Sequence, residues 1–520
     1  MSRFADLRRL WHAARVLARN DALFPKEYEA LLLPSARLMR RLLGSGWAKH
    51  DAPPGIRLAR ALESLGPAYI KLGQVLATRP DIIGDDVAKA LQQLQDRLPP
   101  FPTPIARKVI EDGLDRPVEV LFSSLSEPIA AASIAQVHKG ETATDPPVAV
   151  AVKVLRPTAA ADFARDISAF ALAARIAERW FPVTRRLHPR AMVEILADSV
   201  ALELDLRMEA AGASELAERT RGDPDFRVPH IDWNRTSDRV LTSEWIDGIC
   251  VRDRDALIAA GHDPKRIANL VIRCFLTQAL RDGYFHADMH PGNLFVDAEG
   301  RLVAVDFGIM GRLDDAMRRF MAETLAGFLA RDYRRIAQIH FDVAFVPPHH
   351  SIDTFAQALR AIGEPIFGRP VKDVSMARLL AQLFDTTYRF DMEAQPQLVL
   401  LQKTMMVVEG VARSLDPDFD MWEASRPVVE SWMLDRLGPE GRLREAADGM
   451  SALGRVAQNL PQLLRNAEII SAMLADGGVR LHPESVNLIA AAQVSRTRHV
   501  RVAIWIAAGA LGVIAIVPFL

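Results

Sequence analysis

The run HADMHPGNLFVDAEGRLVAVDFG, from His286 to Gly308, decides how this chain is read. It places His286, Asp288, His290 and Asn293 around a Pro-Gly turn. Two short apolar runs follow, LFVD and LVAVDF, and then Asp306 opens an Asp-Phe-Gly. Taken singly, an Asp or Asn in such a loop is usually a turn or cap residue, because its side chain bonds nearby backbone groups. Taken together, Asp288, Asn293 and Asp306 are hard oxygen donors, which suit Mg2+ better than a soft ion. His286-x-Asp288-x-His290 leaves a second reading open, a transition-metal site.

Upstream lies VAVAVKVL, residues 148–155, whose small apolar residues predict a buried strand. A lysine inside it, Lys153, is costly to bury without an anionic partner. The strand-lysine pattern, the Asp-x4-Asn loop and the Asp-Phe-Gly occur here in the order found in protein kinases. In that scheme Lys153 holds nucleotide phosphates and pairs with a helix glutamate. Asp288 orients and deprotonates the attacking hydroxyl or water, and Asn293 and Asp306 hold the metal.

Two departures accompany the match. Where a kinase carries G-x-G-x-x-G, this chain has Ala130, Ala131, Ala132, Ser133, Ile134, Ala135, Gln136 and Val137. Alanine has a Cβ, so the positive-φ backbone open to glycine is largely denied, and the loop over the phosphates has a different geometry. After the Asp-Phe-Gly, IMGRLDDAMRRFMAETL runs almost directly into helix. The segment that holds a peptide substrate in kinases is missing.

The set resembles the UbiB/AarF atypical kinase family over residues 55–315. The residues that carry the resemblance are Lys71-Leu-Gly-Gln74, the loop AAASIAQVH at 130–138, VAVKV around Lys153, Glu203-Leu-Asp205, Glu209, HADMHPGN and DFG. The resemblance implies an α+β, bilobal protein-kinase-like fold, use of ATP with Mg2+, and membrane-associated support of ubiquinone biosynthesis. It implies ATPase activity rather than protein phosphorylation, with the Lys71/Gln74 helix folded over the place where a peptide would bind. Lys71 and Gln74 are i,i+3 and share a helix face, and the family pattern makes Glu203 and Asp205 their partners. Glu209 is the candidate partner of Lys153. Glu244 and Ile246, at the end of the strand-like RVLTSEWIDGI, mark where backbone would face adenine.

Composition constrains the rest. The 520 residues carry a net charge of −1, so no global field draws the chain to nucleic acid. The two cysteines, Cys250 and Cys274, form neither a disulfide framework nor a metal-ligand spacing, as expected of a reducing cytoplasmic setting. At the N-terminus Phe4, Leu7, Leu10, Trp11, Ala14 and Leu17 fall on one helical face flanked by Arg8, Arg15 and Arg19. Such a helix either lies on an anionic bilayer or packs on its own protein. At the other end, VAIWIAAGALGVIAIVPFL, residues 502–520, holds no charge, long enough to cross a hydrocarbon core. Arg496, Arg498 and Arg501 precede it and favour a cytoplasmic N-terminal side.

The expected organisation is a basic helical region (1–54), an extension bearing Lys71 (55–125), an N-lobe (126–250) and a mostly helical C-lobe (251–480). A juxtamembrane linker (481–501) and a transmembrane helix (502–520) complete it. The body would sit on the cytoplasmic face of a bacterial inner membrane. Expected partners are lipid or quinone intermediates and other quinone-biosynthesis proteins, with a homodimer left open and no nucleic acid. A small-molecule or protein phosphotransferase and a non-catalytic nucleotide- or lipid-binding scaffold are the alternative functions.

Overall fold

Strand formation around Lys153 sets the upper part of the molecule. The computed structural model describes residues 3–22, 52–77, 83–91, 94, 99–132, 134–180, 189–364, 386, 389–392 and 396–437. The stretches expected as juxtamembrane linker and transmembrane helix lie outside the described residues. Among the described residues no helix is long and apolar enough to cross a membrane.

Helix α1 (Arg3–Arg19) opens the chain, followed by α2 (Pro54–Leu65), α3 (Pro67–Ala77) and α4 (Asp85–Leu91). Helices α5 (Thr103–Leu114) and α6 (Val118–Leu121) lead into β1 (Phe122–Ala131), β2 (Ala135–Thr142) and β3 (Ala149–Leu155). The turn holding Thr144-Asp-Pro-Pro147 links β2 to β3, as its composition predicts. Strand β1 was not expected. Its sequence FSSLSEPIAA is polar and mostly exposed, so it carries no apolar alternation.

Helices α7 (Ala159–Trp180), α8 (Pro189–Glu203) and α9 (Leu206–Arg219) come next. Asp205 separates α8 from α9. Its backbone is extended (φ −114°, ψ 96°) and its carboxylate accepts from the N–H of Arg207, capping α9. Strands β4 (Phe226–Arg227), β5 (Val240–Glu244) and β6 (Ile249–Cys250) precede α10 (Arg254–Ala259) and α11 (Pro264–Thr277). Asp263 caps α11, Pro264 stands in its first turn, and the helix runs on through a π turn to Gly283. Gly283 has φ +62°, and a Cβ there would lie 2.6 Å from the Leu313 carbonyl, so glycine is required twice over.

The remaining elements are β7 (Tyr284–His286), β8 (Leu294–Val296), β9 (Leu302–Ala304), β10 (Met310–Arg312), α12 (Asp315–Ala330), α13 (Tyr333–Asp342), α14 (Ile352–Gly363), α15 (Pro396–Leu415) and α16 (Met421–Leu437). Helix therefore begins three residues after β10, in keeping with the expected absence of a peptide-holding segment.

Strands β1-β2-β3-β5 form one antiparallel sheet. Val150, Val152 and Val154 alternate to one face and meet Ala106, Val109 and Ile110 of α5. Lys153 faces the other way. A lower core gathers α9, α11, α15 and α16 around Phe275, Phe285 and Leu294. A third core joins α2, α3 and α4 to α7 and α8 through Leu62, Tyr69, Leu91, Phe163 and Leu196. Gly73 belongs to this packing: a Cβ there would lie 2.4 Å from Leu94 and 2.8 Å from Leu62. Helix α1 packs on its own protein, burying Leu10, Ala14 and Ala18 and pairing Arg9 with Asp166 of α7, while Phe4 and Trp11 stay exposed.

Candidate active site

Register puts Val137, Lys153 and Leu241 side by side across β2, β3 and β5, so their side chains share the face opposite the α5 core. On that face the Lys153 Nζ lies 2.8 and 2.9 Å from the two carboxylate oxygens of Glu209 and 3.0 Å from Oδ1 of Asp306. Burial alone would lower the Lys153 pKa. The carboxylates of Asp306 and Glu209 outweigh it and hold the group above its ordinary value, as an ammonium. The same ammonium keeps Asp306 below the usual carboxylate range. Burial pushes Glu209 the other way, and Lys153 together with the Phe307 N–H opposes the rise.

Two short ladders bring the loop and the Asp-Phe-Gly together. His286 pairs with Met310 across β7 and β10, and Leu294 pairs with Ala304 across β8 and β9. The N–H of Val305 donates to the Asn293 carbonyl at 2.9 Å, which sets Asp306 beside the loop. Asp306 has φ +63°, a strained conformation for a residue with a Cβ, on the order of 1 kcal/mol or more. The side chain is nevertheless half-exposed, open to a cation.

His286 is fully buried and ties both segments. Its Nδ1 accepts from the Asp288 N–H at 3.1 Å, so the proton sits on Nε2, which donates to the Val305 carbonyl at 3.3 Å. Burial lowers its pKa, in agreement with a neutral ring. The Asn293 Nδ2 donates to the Asp288 carbonyl (3.1 Å) and carboxylate (3.3 Å), which leaves Oδ1 as the atom available to a metal. The donor set is thus one carboxylate and one amide oxygen, the hard ligands Mg2+ requires. The transition-metal reading of His286, Asp288 and His290 fails. Both His286 nitrogens are engaged, His290 Nδ1 accepts from the Gly292 N–H, and the three do not converge.

The Lys71 Nζ lies 2.8 Å from the Glu203 carboxylate, with both side chains mostly buried (12% and 16% exposed). Gln74, one turn on in α3, is half-buried. Asp205 does not join them, contrary to expectation: it caps α9 and holds the Arg207 guanidinium at 2.7 Å. The break at Asp205 explains why Glu203 and Glu209 reach two different lysines.

The alanine-rich segment forms the tip between β1 and β2, with Ala130 opposite Val137 and Ala131 opposite Gln136. Ala130, Ala131, Ala132, Ile134 and Ala135 all keep negative φ. Ser133 lies outside the described residues. Ile134 packs against both the extension core and the lower core. Gln136 was expected to line the nucleotide site and instead faces the opposite side of the sheet. It is fully buried, its amide accepting from the Phe101 N–H at 2.8 Å and donating to the Phe101 carbonyl at 3.1 Å. Glu244 ends β5 with its carboxylate on Arg227 and its N–H on the His230 carbonyl, and Ile246 follows, half-buried. The Glu244 carboxylate and its backbone N–H are thus both engaged within the protein.

Three supporting residues were not anticipated. Arg156 donates to the Ala132 and Pro99 carbonyls and fastens the hairpin tip. Gln278 accepts from the His286 N–H at 3.2 Å, and Thr404 of α15 donates to the Ala287 carbonyl at 2.9 Å. Thr404 is 117 residues from its partner, and nothing local marks it.

Residues 93–340 match the family model of the ABC1 atypical kinase-like domain, and residues 359–420 match the UbiB helical domain. A relative from Marinobacter nauticus, described as a probable protein kinase UbiB, is 44% identical over 421 residues, covering 79% of this chain and 76% of that one. A solved complex of Rv3197 with erythromycin from Mycobacterium tuberculosis is 23% identical and covers 76% of this chain and 97% of that one, with a TM-score of 0.47. The matched domains and the identity over most of the chain mean that this protein belongs to the UbiB family of ABC1 atypical kinase-like proteins.

Proposed function

We propose that the protein is a membrane-associated kinase-like ATPase that uses Mg2+ and ATP to support ubiquinone (coenzyme Q) biosynthesis, acting on lipid intermediates or on the biosynthetic complex. The observation that carries the reading is the contact of Lys153 with both Glu209 and Asp306, beside the Asp288–Asn293 bond. Lys153 would hold phosphate oxygens, and Asn293 Oδ1 and Asp306 would hold the cation. Bound Mg2+ supplies charge neutralisation where phosphoryl transfer develops negative charge. Asp288 would orient the attacking oxygen and accept its proton. The Lys71–Glu203 pair supports the expectation that α3 closes the entrance to a peptide. The uncharged 502–520 run and the arginines before it support placement on the cytoplasmic side of the inner membrane.

The test is ATP turnover in Asp306→Asn and Asp288→Asn chains. Each is expected to lose at least ~100-fold, the scale of removing a group aimed at transition-state charge or proton transfer. Unchanged turnover in both overturns the assignment. Labelled γ-phosphate recovered as free phosphate supports an ATPase; recovery on one specific acceptor supports a phosphotransferase. A deletion strain complemented by the wild-type chain but not by Asp306→Asn, scored by its quinone intermediates, ties turnover to the pathway.

A further inference from the structure

Far along the chain from the nucleotide site, three metal-ligating side chains meet. His349 and His350 lie in the loop between α13 and α14, and Asp391 lies ahead of α15. The Nε2 of His350 is 3.2 Å from Asp391 Oδ2, and the Nε2 of His349 is 3.6 Å from the same oxygen. All three ligand atoms lie within 4.8 Å of one another, the one such group of His, Cys, Asp or Glu side chains among the described residues.

The spacing suits a metal. Tetrahedral ligands held ~2.0–2.1 Å from zinc are separated by about 3.4 Å along each edge. The two edges to Asp391 Oδ2, 3.2 and 3.6 Å, bracket that value, and the third pair of ligand atoms lies within 4.8 Å. The site is also braced. The His350 ring rests on Phe390 with centroids 5.3 Å apart, and Phe390 packs on Phe355 at 4.8 Å. Both phenylalanines are nearly fully buried in a small core with Tyr333, Ile336 and Leu359. The donor chemistry selects the ion: two imidazoles and one carboxylate suit zinc and its neighbours, whereas Mg2+ prefers all-oxygen sets.

We infer that His349, His350 and Asp391 bind one divalent transition-metal ion of zinc's class. The ion joins the loop before α14 to the segment before α15, two points 41 residues apart in the chain. It thereby closes the stretch in which the UbiB helical domain begins. Three protein ligands leave a fourth position for water or a ligand atom.

The test uses the full chain after chelator treatment. Zinc titration is expected to show one tight equivalent per chain, and that equivalent should weaken at least ten-fold in His350→Ala and in Asp391→Asn. ATP turnover with Mg2+ should stay within two-fold of wild type in both, which separates this site from the active centre. Co2+ added to the wild-type chain should give the intense visible absorption of a four-coordinate site, a readout independent of whether any variant folds. No zinc binding at micromolar concentration overturns the inference, as does binding that both variants retain. A pH-dependent His350–Asp391 ion pair without metal uptake overturns it too.

Discussion

Lys153 shows how a residue is read differently before and after its neighbours are known. In the sequence it is a charge among valines and alanines; in the fold it is the ammonium on which Glu209 and Asp306 converge. Its pairing with Glu209 was legible because the kinase-like pattern supplied that partner; the contact with Asp306 was not anticipated. Gln136 was misread because a run of eight residues was assigned to one site, although side chains alternate along β2 and only every second one faces the cleft. Histidine gives a prediction at the same scale. His340 is buried between Phe320 and Phe355, and its Nδ1 meets the Ile336 carbonyl at 2.8 Å. Burial pushes its pKa down to about 4. The unfolded chain, with an ordinary value near 6.5, takes up a proton that the folded chain refuses. Stability is therefore full above pH ~6.5 and falls as pH drops towards 4, by about 2 kcal/mol at pH 5. In His340→Leu the difference between the melting midpoints at pH 7 and pH 5 should shrink. An unchanged difference would remove His340 as a source of acid sensitivity.

Helix termini carry more of the function than helix interiors do. Asp205 is the clearest case: with its cap in place α8 ends at Glu203 and α9 starts afresh, and the two glutamates address Lys71 and Lys153 separately. On an unbroken helix, residues six apart lie far round the axis, and sequence spacing alone left the Glu203 and Asp205 pairings geometrically unresolved. Sequence did mark other ends well. Asp263, Pro264 and Gly283 bound α11 and its π turn as their capping preferences require. It did not mark β1, whose Pro128 and serines give no strand signal; β1 exists because β2 offers a paired edge. Asp205→Ala should cost about 1 kcal/mol through the lost cap, a fall of a few degrees at most in the melting midpoint of a chain this size. ATP turnover should fall further than Asp205→Asn reduces it, because Asn keeps the capping oxygen. Equal turnover in the two variants would show that the break does not depend on the cap.

At the scale of the whole molecule, contacts between segments distant in the chain hold the cleft, and these were the least legible. Thr404 on the Ala287 carbonyl and Phe101 on Gln136 link parts 117 and 35 residues apart. No periodicity records such distances. The Lys71–Glu203 pair, 132 residues apart, was proposed only because family motifs named both ends. It joins α3 of the extension to the end of α8, the helix that leads into α9. Both side chains are mostly buried, which makes the pair asymmetric in energy. Lys71→Met leaves a carboxylate in a poorly solvated place and should cost ~3 kcal/mol, and Glu203→Leu should cost a similar amount by stranding the ammonium. The double variant removes both charges and should recover most of the loss, with a coupling energy of ~1–3 kcal/mol in a double-mutant cycle of denaturant midpoints. Strictly additive losses would mean that the two charges are solvated independently and do not act as a pair.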